Sequence, residues 1–95
     1  MRISSTDVID GYRVLYRMGK IKAASTWHAV NSAPSQDNWR ELVRRELVRR
    51  AEDIDADAII DFDYETDGIV AVDETGVQLE RIFTTGIAVK LSYAA

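Results

Sequence analysis

The sequence has no cysteine, one proline, five glycines and a single histidine, His28. Without thiols the chain can form no disulfide, thiolate metal site, iron–sulfur cluster or cysteine nucleophile. No apolar run approaches the ~20 residues of a membrane span. Met1 to Asp7 lack the apolar core of a secretory signal, so the expected location is cytoplasmic. A basic excess is missing too: twelve Lys and Arg stand against sixteen Asp and Glu, a net charge of −4. That balance disfavours general binding to nucleic acid or to anionic membranes. There is no glycine-rich phosphate loop, no nucleophile elbow and no Ser/His/Asp set, so no catalytic constellation is read and no enzyme is expected.

What is present is that of an ordinary globular chain. Hydrophobic residues make up 46% and charged residues 29% of 95 residues, which together form one domain. A chain this short leaves much apolar surface uncovered, and self-association would help it.

Residues 1–11 read as a short extended lead-in. From Gly11 to Ala24 the chain is rich in β-formers. Tyr12, Val14, Tyr16 and Met18 alternate with Arg13, Leu15 and Arg17, which predicts a first strand with a bulge near Gly19. Its arginines and lysines suit a sheet edge. Asn31 to Asn38 is the main loop, with Asp37 or Asn38 as candidate helix caps and Ser35 as a weaker one. A helix follows over Trp39–Asp55, with Trp39, Val43, Leu47, Ala51 and Ile54 as its apolar stripe.

The organising stretch comes next, Asp57 to Thr66. Period two puts Ala58, Ile60, Phe62 and Tyr64 on one face, predicted to lie under the helix. Ile59, Asp61, Asp63 and Glu65 take the other. Asp73 to Gly76 forms a hairpin loop into a third strand, Val77–Tyr93, with a register shift expected at Gly86. The predicted fold is α+β: a single β-α-β-β domain with one helix on a three-stranded antiparallel sheet, preceded by a short extended segment. The first strand can lie beside either of the others. The uncovered face, read as holding Ile59, Leu15 and Ile82 among charges, is expected to meet a partner subunit.

Charge is distributed unevenly. Residues 40–50 hold five arginines and two glutamates, while residues 52–74 hold ten acids and no lysine or arginine. The helix therefore starts basic and ends acidic, against its macrodipole. Arg44, Arg45 and Arg49 of one subunit facing Asp61 and Asp63 of another would relieve that conflict. Metal ligation is not favoured. The weak candidates are His28 alone, and Asp61, Asp63 and Glu65 as oxygen donors for a hard cation. Asp53, Asp55 and Asp57 begin like a calcium loop, but Ala58 and Tyr64 stand where that loop needs glycine and glutamate.

Three segments carry a family resemblance. Gly11-Tyr-Arg-Val-Leu-Tyr-Arg-Met-Gly19-Lys-Ile21 resembles the first strand of the YbjQ-like family, described as putative heavy-metal-binding. Ala56 to Glu65 is similar to that family's helix-to-strand junction, which reads close to Gly-Ala-Asn-Ala-Ile-Val-Gly-Val-Asp-Ile-Asp-Tyr-Glu. Gly86-Ile-Ala-Val-Lys-Leu91 resembles its closing Gly-Thr-Ala-Val-Lys-Leu. Asp55 stands in place of the usual glycine before the junction, and Ile87 in place of the usual threonine. The resemblance implies a dodecin-subunit-like fold assembling into a homo-oligomeric ring, a pentamer as a rule. It transfers no firm activity. Dodecins sandwich flavin with a strand tryptophan; here Phe62 and Tyr64 occupy the corresponding strand, and no cofactor is expected. The alternative reading is a small-molecule or metal-ion binding protein with its sites between subunits.

Overall fold

The protein is described by a computed structural model over residues 1–29, 36–72 and 77–93, with only the backbone described at residues 29, 36, 37, 67–72 and 77. In chain order the elements are β1 (Arg2–Ile3), β2 (Tyr12–Ala24), β3 (His28–Ala29), α1 (Gln36–Asp53), β4 (Ala58–Val72) and β5 (Val77–Tyr93). The main loop at 30–35, with Ser35, and the hairpin loop at 73–76 lie outside the described residues.

The sheet is mixed rather than purely antiparallel. Its order is β1-β4-β5-β2, and β3 continues the β2 side against β5. The first long strand thus lies beside the last. The central strand is β5, which pairs antiparallel with β2, β3 and β4. The lead-in contributes β1, parallel to the start of β4. The helix begins at Gln36, so Asp37 and Asn38 belong to its first turn, where an acid suits the positive end of the dipole. It stops at Asp53, two residues early, and leaves Ile54 exposed. Asp55 adopts the left-handed conformation (φ 60°). The Asp55 amide donates to Glu52 O at 2.9 Å and the Ala56 amide to Ala51 O at 3.0 Å. This is the Schellman closure, with aspartate where glycine is usual.

One bulge decides which residues face the helix. Ile60 pairs with Ile87 and Asp63 with Thr85, so Asp61 and Phe62 both oppose Gly86. Asp61 has φ 51°, the left-handed residue of such a bulge. The predicted alternation fails here. Before the bulge it is Ile59, and not Ala58 or Ile60, that packs under the helix with Leu47, Ala51 and Ala23. Ala58 and Ile60 sit on the far face with Ile9 and Val89. After the bulge Phe62 and Tyr64 do turn to the helix, as expected. The register shift expected on β5 at Gly86 thus arises on β4. The bulge amides find acceptors in the lead-in: Asp61 N donates to Thr6 O at 2.9 Å and Phe62 N to Ser4 O at 3.0 Å. Gly86 is required where the layers meet, because a Cβ there would collide with Ile59 Cγ2.

Strand β2 has two register shifts, at Val14/Tyr16 and at Arg17/Gly19. The second is the bulge expected at Gly19 (φ 139°). The first separates Tyr16 from the face of Tyr12 and Val14, contrary to simple alternation. Ile82, read as a far-face residue, lies two positions from Thr84 and four from Gly86 along unbroken β5, on the helix side.

Candidate functional site

The acidic stretch resolves into three different positions. Asp61 occupies the bulge and is exposed. Asp63 and Glu65 pair with Thr85 and Phe83 and stand exposed on the face away from the helix. The Asp63 backbone is held by Thr84, whose hydroxyl donates to Asp63 O at 2.6 Å. Asp63 Oδ1 accepts from the amide of Tyr64 at 2.9 Å. Among the described residues no three His, Asp or Glu side chains converge as a metal-binding group.

His28 lies apart from these acids, on the helix face of the β3 end. It is buried and stacks on Trp39 of the helix, with ring centroids 4.3 Å apart and planes within 8°. Nδ1 is 3.1 Å from Thr26 O, and a carbonyl can only accept, so Nδ1 carries the proton. Nε2 is 3.4 Å from Glu80 Oε1 across the strand pair, without hydrogen-bond geometry. The arrangement pins Trp39, and with it the start of the helix, to the sheet. Trp39 Nε1 is buried with no hydrogen-bond partner among the described residues.

The helix arginines are largely engaged along their own helix. Arg45 Nε meets Glu41 at 3.3 Å, while Arg49 and Arg50 meet Glu46 at 3.7 and 3.6 Å. These exposed pairs stabilise the helix by a few tenths of a kcal/mol at most (roughly). Arg40 lies over the Tyr64 ring, 5.5 Å from its centroid. Burial pushes the Tyr64 hydroxyl above its ordinary pKa; Arg44 opposes this, Glu41 adds to it, and Arg40 opposes it. Within the chain, therefore, the helix arginines and Asp63 and Glu65 are on opposite sides of the sheet.

No family model matches the sequence, and no curated protein matches it. A solved structure shares the fold. It is that of a protein of unknown function from Pediococcus pentosaceus ATCC 25745, which belongs to the DUF74 family. The TM-score is 0.72 at 18% sequence identity, over 97% of this chain and 98% of that one. DUF74 is the YbjQ-like family. Identity at that level carries the fold and no activity. No helix among the described residues is long and apolar enough to cross a membrane.

Sequence reasoning gave the cations of β2 no partner. Arg17, Lys20 and Lys22 pair with Val89, Ile87 and Thr85, which puts all three on the face of Asp63 and Glu65. The signal was visible as a strand with four cations and no acid. Its facing depended on two bulges that alternation alone does not position.

Proposed function

We propose that the chain is a subunit of a YbjQ-like homo-oligomeric ring, a pentamer in the family's pattern, with an assembling rather than a catalytic role in the cytoplasm. One observation carries this reading: the subunit is too thin to be a finished domain. Its extents are 60 × 19 × 18 Å and its radius of gyration is 16.0 Å, against about 12 Å for a compact chain of this length. Strands of 15 and 17 residues run about 50–56 Å, while an 18-residue helix covers about 27 Å of them. The rest of the sheet on that side, and most of the opposite face, has no second layer among the described residues. Native mass spectrometry of untreated protein tests the reading. A closed homo-oligomer is expected; a strict monomer at micromolar concentration sinks it.

A second reading is a small-molecule site between subunits, which would build on a cleft that one chain already forms. Arg2, Tyr12, Asp57, Leu91 and Tyr93 line a cleft of about 230 Å³ at the open end of β2. Tyr12 and Tyr93 stack at 5.1 Å, and Arg2 lies 4.4 Å over the Tyr12 ring. The same spectra would reveal a retained ligand or metal as excess mass on the assembly.

A further inference from the structure

We propose that copies of this chain join head to tail through their sheet edges, the basic β2 edge of one against the acidic β4 edge of the next. This rests on the self-assembling reading above and names the contact that makes it.

Both edges are open among the described residues. Strand β2 pairs only with β5. Strand β4 pairs with β1 at Ala58 and Ile59, and the lead-in holds it as far as Phe62. From Asp63 onward its outer side has no neighbouring strand among the described residues. Two long rows of backbone N–H and C=O groups thus await partners, the condition under which strands add to one another.

Charge selects which edge meets which. Strand β2 carries Arg13, Arg17, Lys20 and Lys22 and no acid; residues 58–67 of β4 carry Asp61, Asp63, Glu65 and Asp67 and no cation. Arg17, Lys20, Lys22, Asp63 and Glu65 are all exposed, and none is in an ion pair among the described residues. A β2–β2 contact would set cations against cations, and a β4–β4 contact acids against acids, so two-fold pairing is disfavoured. Head-to-tail pairing brings opposite charges together and repeats, closing as a ring or running on as a filament.

Facing fixes the orientation. The three β2 cations and the two β4 acids sit on one face of the sheet. A neighbour that continues the sheet with this face preserved keeps its strand direction. Because β2 and β4 both run antiparallel to β5, the new pair is parallel. The lead-in blocks β4 up to Phe62, so the incoming strand docks from Asp63 onward. The helix arginines lie on the other face and do not make this contact.

The test uses the full chain and two charge reversals at exposed positions, Lys20→Glu/Lys22→Glu and Asp63→Lys/Glu65→Lys, with folding checked by circular dichroism. Each variant alone should dissociate at least about ten-fold more readily than the parent in sedimentation and native mass spectrometry. Mixing the two should give assemblies containing both. Arg44→Glu/Arg49→Glu should leave assembly unchanged. Raising salt from about 0.05 M to about 0.5 M should weaken the parent assembly, a readout that needs no variant to fold. An oligomer indifferent to salt and to both reversals overturns the edge contact and leaves the self-assembling reading intact. A monomeric parent overturns both.

Discussion

The two faces of β5 are built from opposite kinds of residue. Toward the helix stand Ile82, Thr84, Gly86 and Ala88, all fully buried and, after Ile82, small. Away from it stand Phe83, Thr85, Ile87 and Leu91, larger on average and only half buried. Val89 is buried on that face because the lead-in lays Ile9 over it. Small residues under the helix let it approach until Leu47 and Ile59 fill the gap. Among the described residues, the bulkier ones opposite have no such cover beyond Ile9. A free-standing domain would bury its larger side chains first. The difference teaches that the helix completes one face of the sheet, while the other is only partly covered among the described residues.

Substitution on each face separates the two cases, and the largest effect belongs to the helix side. Leu47 is fully buried, and Leu47→Ala should cost about 2–5 kcal/mol in urea unfolding. Ile87 is only half buried on the other face, and Ile87→Ser should cost less, about 1 kcal/mol or less. The comparison breaks if Ile87→Ser destabilises as much as Leu47→Ala at every concentration, since the far face is then ordinary core. It also breaks if Ile87→Ser leaves stability unaltered, since that face is then simply solvated.

A smaller effect sits at the point where the two faces trade places. Asp61 holds a left-handed conformation that costs an ordinary residue roughly 1–2 kcal/mol and aspartate somewhat less. Asp61→Gly should therefore stabilise the subunit by up to about 1 kcal/mol, and Asp61→Val should destabilise it by about 1–3 kcal/mol. Equal urea midpoints for the two variants would remove the bulge as the device that swaps Ile59 for Phe62 beneath the helix. Asp55 and Asp61 are the two non-glycine residues with positive φ among those described.

That explains how much was legible beforehand. Val43, Leu47 and Ala51 were readable as core because an uninterrupted helix keeps its period, and all three are buried. The strand order β-α-β-β was readable from the same logic. The facing of Ile59 and Ile60 was not, since an aspartate in an alternating run looks like one more solvent-facing residue. The pairing of β1 was not either: two residues have no period, and their place depends on bulge amides seeking acceptors. The exposure of Asp61, Asp63 and Glu65 was readable from their charge, but placing the β2 cations on the face of Asp63 and Glu65 required the bulges at Leu15 and Met18 to be counted first.

The subtlest way to sharpen the comparison is electrostatic. Tyr64 lies on the helix side of the sheet, one residue from Asp63 on the other side. Burial raises its pKa, so the fold favours the neutral phenol. The sign follows: this contribution is fully present below the ordinary tyrosine range near 10.0, and it is lost as pH rises through the folded value. Between about pH 9 and 11 the parent should lose more stability than Tyr64→Phe, as read by urea midpoints. Arg44 is the stronger of the two cations that lower the value, so Arg44→Gln should push the phenolate absorbance transition of Tyr64 further up. Asp63→Asn should move it far less, because the sheet stands between that carboxylate and the ring. If the two substitutions shift the transition equally, the two faces are not electrostatically separate, and the Asp63 carboxylate acts on its own helix.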